Sequence, residues 1–178
     1  MHIRPTIIVA MLGLTAVGVF AQAGPSKTHM SDEVLRTRFL AHRVDFEKLV
    51  VMAQEDSHLT RIAPDFTWLD DDVAWPRKNV GISEERWNDY RQAFRRVGDS
   101  EGIVKSNNPT RIMFPISTVG LAPSGAAKGL VYSQEPLSPI MKSLDQRPPD
   151  KFWSGPDRSH VLAYKPIEEH WYIYYEQW

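Results

Sequence analysis

Residues suited to binding a ligand are concentrated near the end of the chain, in residues 160–167 and 171–176. Both segments are rich in aliphatic and aromatic residues, which predicts two strands whose side chains alternate between two faces. If an even number of residues connects the strands, one face is apolar enough to be core and carries Leu162, Tyr164, Trp171, Ile173 and Tyr175. The other face then carries Val161, Ala163, Lys165, His170, Tyr172, Tyr174 and Glu176.

The second of these faces has a composition that favours ligand binding. A purely solvated face does not need two tyrosines, and tyrosine combines an apolar ring with a hydroxyl group that can orient a polar ligand. The sequence therefore predicts ligand-binding residues at Tyr172, Tyr174, His170 and Glu176. The alternative is structural, with the tyrosines packed under residues 134–159 or the first helix and their hydroxyl groups at the rim.

A second candidate arrangement centres on His42, which precedes Asp45 by three residues in a predicted helix. A carboxylate beside an imidazole fixes its tautomer, as general-base catalysis requires. With Asp45 or Glu176 as the carboxylate and Tyr172 or Tyr174 as hydrogen-bond donors, His42 would suit a small hydrolase or isomerase. A histidine among leucines and phenylalanines is also typical of a core residue, and no nucleophile accompanies it.

No motif in the sequence predicts a cofactor or a metal ion. Asp70 to Asp72 lack the remainder of a calcium-loop pattern and favour a turn. The glycine-rich residues 120–129 lack the Lys-Ser/Thr pair of a phosphate-binding loop. The histidines are not spaced as zinc ligands usually are.

The first 23 residues are typical of a secretory signal. A basic start is followed by a 14-residue apolar run, residues 7–20, and by Ala21-Gln22-Ala23, a small-x-small cleavage pattern. The apolar run is shorter than the ~20 residues that a membrane span needs. We expect cleavage after Ala23, which leaves residues 24–178 as one globular domain without a stable membrane anchor.

Composition narrows the possible functions. The chain has no cysteine, which excludes disulfides, thiolate metal sites and cysteine nucleophiles. Its net charge of −1 gives no support for nucleic-acid binding. It also lacks an Asn-x-Ser/Thr acceptor, so a bacterial periplasm or cell exterior is the favoured destination.

Two helices should position the candidate residues. The first is predicted over residues 32–55, capped by Ser31, with His42 inside its apolar stripe. The second spans residues 84–97, because Ser83 can cap its start, Ile82 and Trp87 form a hydrophobic staple, and Gly98 can end it.

Strands are predicted after and between these helices, in the following residues: 62–69, 73–75, 103–106, 111–119, 128–133, 160–167 and 171–176. Residues 134–159 interrupt the strands, and Ser138 with Pro139 predicts one or two helical turns to Leu144.

This order predicts an α+β fold in which two N-terminal helices pack on a curved antiparallel sheet of about five strands. At the level of topology alone, it resembles cone-shaped α+β folds in which a bent sheet wraps a long helix. Such folds host both enzymes and binding modules. We expect a non-catalytic exported module that binds a small molecule or a protein. The alternative is the pocket enzyme, which requires His42 and the tyrosine face to meet at one cavity.

Overall fold

The computed structural model describes residues 29–69, 81–107, 110–120, 125–146, 148–155 and 160–178. The helices of this part are α1 (Asp32–Ala41), α2 (Arg43–Glu55) and α3 (Glu84–Val97), with a short 3-10 turn at Asp150–Phe152. Its strands are β1 (Leu59–Ile62), β2 (Thr67–Leu69), β3 (Ile103–Asn107), β4 (Thr110–Val119), β5 (Ala126–Tyr132), β6 (Val161–Glu168) and β7 (Trp171–Gln177). The predicted signal, the Asp70 to Asp72 turn and the 73–75 strand lie outside the described residues.

The strands form one sheet in the order β2-β1-β3-β4-β5-β7-β6, and each described pair is antiparallel. All three helices pack on one face, against Phe114, Leu130 and Ile173 among others. A smaller cluster on the opposite face contains Met113, Tyr164 and Tyr174 and no helix residue. We call this opposite side, on which none of the described helices packs, the helix-free face. The α+β class is confirmed, with three helices and seven strands in the described residues where two helices and about five strands were predicted.

The predicted helix over residues 32–55 is interrupted at His42. This residue has φ −124° and ψ 23°, and its N–H ends α1 by donating to the carbonyl oxygens of Arg38 and Phe39, both at 3.1 Å. Because the break occupies a single residue, Phe39 and Phe46 stay buried on the same side of the chain. The spacing of apolar residues therefore predicted the buried positions of Phe39 and Phe46, but it could not reveal the break, and His42, expected inside the stripe, is only partly buried.

Helix α3 is confirmed with the predicted caps. The Ser83 hydroxyl accepts from the Arg86 N–H at 3.1 Å, and Gly98 ends the helix with φ 67°. The Trp87 indole is buried and donates to the Ala63 carbonyl oxygen at 2.8 Å. This bond and the buried stripe fix α3 against the β1–β2 hairpin and α2.

The prediction of one strand over residues 62–69 is wrong, because the chain turns there. The Ala63 N–H donates to the Phe66 carbonyl oxygen at 2.9 Å, and this bond closes the hairpin between β1 and β2. Pro64 lies inside the turn, where its missing N–H costs no ladder bond.

Residues 133–146, which we call the clasp, wrap the edge of the sheet at β6. Leu137 packs on the helix-free face, and the Tyr164 N–H donates to the Pro139 carbonyl oxygen at 3.0 Å. Leu144 then reaches the core on the helix side. The predicted helical turn from Ser138 to Leu144 is wrong, because this segment pairs with the exposed edge of β6 instead.

The register of the last hairpin corrects the predicted faces of β6. Glu168 pairs with Trp171 as an even loop requires, but a bulge between Pro166 and Glu168 shifts the register so that Tyr164 pairs with Tyr174. A one-residue shift reverses every side chain of a strand. Leu162 and Tyr164 therefore share the helix-free face with Tyr172 and Tyr174, while Ala163 and Lys165 face the helices. The faces predicted for β7 are confirmed.

Candidate functional site

The helix-free face contains a cavity of about 360 Å³, which we call the aromatic cavity. The aromatic residues that line it are Phe66, Trp68, Tyr174 and Trp178, and the ionisable ones are Arg61, Glu101 and Glu176. Its lining comes from β1 to β5 and β7 and from residues next to them, so the sheet itself holds most of these side chains in place. Glu101 and Trp178 are each about 40% exposed, which shows that the cavity reaches the surface.

Small residues create the space in the middle of this surface. Ala127 on β5 lies between Thr118 on β4 and Glu176 on β7, and its methyl group forms part of the cavity floor. At the end of β7, the Trp178 N–H donates to the Gly125 carbonyl oxygen at 3.1 Å. A β-carbon on Gly125 would come within 3.1 Å of the indole, so glycine lets the Trp178 ring lie against the chain.

The Arg61 guanidinium contacts neighbouring groups of the protein. One guanidinium nitrogen donates to the Glu101 carbonyl oxygen at 2.7 Å, and the guanidinium lies 5.8 Å from the centre of the Phe66 ring. Its distance to the Glu101 carboxylate is longer, at 4.0 Å. The side chain of Arg61 is only 12% exposed, whereas that of Glu176 is 29% exposed.

The loop that carries Glu101 is held by a buried carboxylate. Asp99 accepts hydrogen bonds from the N–H groups of Glu101 at 2.8 Å and Gly102 at 3.0 Å. Its second oxygen is buried without a hydrogen-bond partner among the described residues. Burial raises the pKa of Asp99 to about 6, although the two backbone N–H groups act in the opposite direction.

Burial also raises the pKa of the Tyr174 hydroxyl well above its usual range, and the neighbouring Glu176 carboxylate adds to this effect. Tyr174 is therefore a neutral phenol at physiological pH. It supplies ring surface to the cavity rather than a phenolate base.

The structure separates the four predicted ligand-binding residues. Tyr174 and Glu176 line the aromatic cavity. Tyr172 is half-buried on the same face, where its ring meets that of Tyr164 edge-on at 6.3 Å. His170 lies in the β6–β7 turn with φ 65° and lines a different cavity of about 430 Å³, which we call the turn cavity.

The turn cavity lies on the helix side, between α2 and the β6–β7 turn. Its lining combines apolar and charged side chains, and Arg43 pairs there with Glu47 at 2.8 Å and with Glu168 at 3.0 Å. Arg43 thus bridges α2 and β6 across this cavity. His170 contributes to this surface and not to the tyrosine face.

The alternative catalytic residues are not brought together. His42 is partly exposed at the junction of α1 and α2 on the helix side, and it lines neither cavity. Asp45 pairs with Arg96 at 2.7 Å rather than with His42. Glu176 lies across the sheet, on the helix-free face. The predicted arrangement of His42, Asp45 and Glu176 therefore does not form one site.

Glu176 instead meets a histidine that sequence reasoning did not select. The Glu176 carboxylate lies 3.4 Å from His160 Nε2, and His160 Nδ1 lies 3.3 Å from the Ser154 hydroxyl. Ser154 and His160 also form an isolated β-bridge. No spacing motif marks these residues, because a bridge outside the regular strands brings them together.

Sequence reasoning also missed a buried ion network on the helix side. Lys128 is 1% exposed and lies 2.8 Å from Asp32 and 2.7 Å from Asp145, and Lys165 lies 2.9 Å from Asp32. Burial would raise the pKa of Asp32, but its bonds with the two lysines and the Leu144 N–H lower it to about 2. The network joins α1, β5, β6 and the clasp, and its charges neutralise one another.

In the ranges that the structure describes, no three histidine or acidic side chains are placed to hold a metal ion. None of the described helices combines the length and apolarity that crossing a membrane requires. Comparisons with protein-family models, with curated proteins and with solved structures found no match.

Proposed function

We propose that the protein is an exported, non-catalytic binding module whose ligand occupies the aromatic cavity. The observation that carries this proposal is the convergence of four aromatic rings and two partly exposed carboxylates on one cavity of about 360 Å³. Ligand sites commonly have volumes of about 300–1,000 Å³ and combine apolar walls with a few polar groups. Tyr174 and Glu176 keep the binding role that the sequence predicted for them.

Binding is favoured over catalysis by the polar groups around this cavity. Tyr174 remains protonated, and the Arg61 guanidinium is engaged by Glu101 and Phe66. Among the described lining residues there is no serine or histidine to act as a nucleophile or base. The strands of the sheet position most of the lining side chains, and preorganised side chains reduce the entropic cost of binding.

The proposed location follows from the first 23 residues, which have the pattern of a cleavable secretory signal. Such export would place the aromatic cavity in a bacterial periplasm or outside the cell. Its ligand would then be a molecule of that compartment.

Native mass spectrometry of the protein purified from its own host tests this proposal. We expect a retained small molecule that Trp178→Ala reduces, because the partly exposed indole lines the cavity and can be truncated without opening the core. The matched control is Trp153→Ala, since that indole lies outside the cavity and donates a hydrogen bond to the Pro148 carbonyl oxygen. A ligand retained equally by both variants would contradict the proposed site.

One observation favours a second function, that of a small hydrolase. If Glu176 accepts the Nε2 proton of His160, Nδ1 is free to accept the proton of the Ser154 hydroxyl, which is the logic of a catalytic triad. However, the Ser154 N–H already donates to the His160 carbonyl oxygen at 2.7 Å and so cannot stabilise an oxyanion. The binding function is therefore the better supported.

A fluorophosphonate probe distinguishes the two functions. A hydrolase would be labelled at Ser154, and both Ser154→Ala and His160→Ala would lose the label. An unlabelled wild-type protein contradicts the hydrolase.

A further inference from the structure

We propose that the ligand of the aromatic cavity is a small organic cation with a flat apolar body, such as an arylalkylammonium ion. This inference rests on the proposed binding function and adds the chemical class of the ligand. It follows from the charge, the exposure and the aromatic character of the lining residues.

The described lining of the cavity carries a net negative charge. Its charged residues are Arg61, Glu101 and Glu176. The two carboxylates are 40% and 29% exposed, whereas Arg61 is 12% exposed. The exposed charge that a ligand would meet is therefore mainly that of Glu101 and Glu176.

Neither carboxylate is tightly neutralised by the protein. Glu101 lies 4.0 Å from the Arg61 guanidinium, and Glu176 lies 3.4 Å from a partly exposed histidine, His160. Tight ion pairs have N–O distances of about 2.7–2.9 Å. Both glutamates thus retain the capacity to accept a hydrogen bond from an ammonium group.

An anionic ligand fits this cavity poorly. Its only cationic partner among the described lining residues would be Arg61, whose guanidinium already donates to the Glu101 carbonyl and lies near the Phe66 ring. The two glutamates would repel it, and like-charge contacts oppose binding.

The aromatic residues of the cavity add a second attraction for cations. The face of an aromatic ring carries a partial negative charge, and indole attracts cations most strongly. The cavity contains two indoles, Trp68 and Trp178, together with Phe66 and Tyr174. The same rings would pack against the apolar body of the ligand, so one molecule can use both features.

Three probes with the same ring and different charge test this inference: 2-phenylethylammonium, neutral 2-phenylethanol and anionic 3-phenylpropionate. Binding is measured as the shift of the Trp68 and Trp178 indole N–H signals in NMR titrations of the exported protein. We expect the cation to bind about ten-fold more tightly than either analogue, because only the cation gains the attraction of the rings and carboxylates.

Two isosteric variants and a control identify the source of this preference. Glu101→Gln and Glu176→Gln should each weaken binding of the cation by about three-fold or more and leave binding of the alcohol unchanged. Glu47→Gln, which removes a carboxylate from the turn cavity on the other side of the sheet, should change neither.

The outcomes separate this inference from the function on which it rests. If the alcohol shifts both indole signals and binds as tightly as the cation, the cavity is a binding site but the inference is wrong. If the two Gln variants keep the full preference for the cation, the inference is also wrong. If none of the probes shifts either indole signal, the aromatic cavity is not the binding site and both proposals fail.

Discussion

The buried ion network gives the most quantitative prediction about stability. Lys128→Met removes the ammonium group that lies between Asp32 and Asp145. Breaking a buried ion pair by removing one partner typically costs about 3–5 kcal/mol, because the other charge stays buried. Asp32 keeps its bonds with Lys165 at 2.9 Å and with the Leu144 N–H at 3.0 Å. We therefore expect a loss of about 3 kcal/mol, at the lower end of this range.

Urea unfolding at pH 7, followed by tryptophan fluorescence, measures this loss. For a domain of this size it corresponds to a fall in Tm of about 6–12 °C. Adding Asp32→Asn to Lys128→Met should recover part of the stability, because the buried Asp32 carboxylate, which then has Lys165 as its one remaining cationic partner among the described residues, no longer carries a charge. An exposed ion pair contributes at most about 1 kcal/mol, so a loss below this value for Lys128→Met would show that the Lys128 pairs do not act as buried ion pairs.

The same network predicts a dependence on pH. The pKa of Asp32 is lowered from 3.8 to about 2 in the folded protein, which corresponds to a stabilisation of about 2 kcal/mol. Because the folded pKa is the lower one, this stabilisation is present above about pH 4 and is lost as the pH falls towards 2. Lys128→Met should reduce this loss. If the variant lost as much stability at low pH as the wild-type protein does, the role assigned to Lys128 would be contradicted.

Other residues give further predictions. Trp87→Ala should lower the free energy of unfolding by about 3–5 kcal/mol, because it empties a buried site between α3 and the β1–β2 hairpin; unchanged thermal stability would show that α3 is not docked there. The pKa of Asp99 is raised from 3.8 to about 6 in the folded protein, so the free energy of unfolding should fall as the pH rises between these values. Asp99→Asn should remove this pH dependence, which urea unfolding at several pH values measures. Intact-mass measurement of the exported protein should show Gly24 as its first residue, and a mass that retains Met1 would contradict the cleavable signal.

The parts of the fold that local chemistry determines could be predicted from the sequence. The bounds of α3 follow from Ser83, Gly98 and the apolar residues between them, which the structure confirms. The two faces of β7 follow from simple alternation. The break at His42 could not be predicted, since a single irregular residue leaves the spacing of buried residues almost unchanged.

The sequence does not show which side chains of β6 face the helices. The loop between β6 and β7 has an even number of residues, as expected, but the bulge after Pro166 exchanges the two faces of the part of β6 that precedes it. As a result Tyr164, expected in the core on the helix side, lies beside Tyr172 on the helix-free face. Bulges depend on local geometry and on tertiary packing, so alternation alone does not locate them.

The candidate site was only partly predictable for a similar reason. Tyr174 and Glu176 belong to the strand whose alternation was clear, whereas Arg61, Trp68 and Glu101 reach the cavity from β1, β2 and the loop before β3. Their proximity depends on strand order, which places β3 next to β4 and β1 next to β3. Lys128 was equally hidden, because a lysine in an apolar strand gives no sign of its distant partners Asp32 and Asp145.

The most direct test of the binding function is a crystal structure of the protein soaked with 2-phenylethylammonium. We predict electron density for the ring between the aromatic side chains of the cavity, with the ammonium group at Glu101 or Glu176. Density confined to the turn cavity beside His170, or no density in either cavity at saturating ligand, would contradict the account.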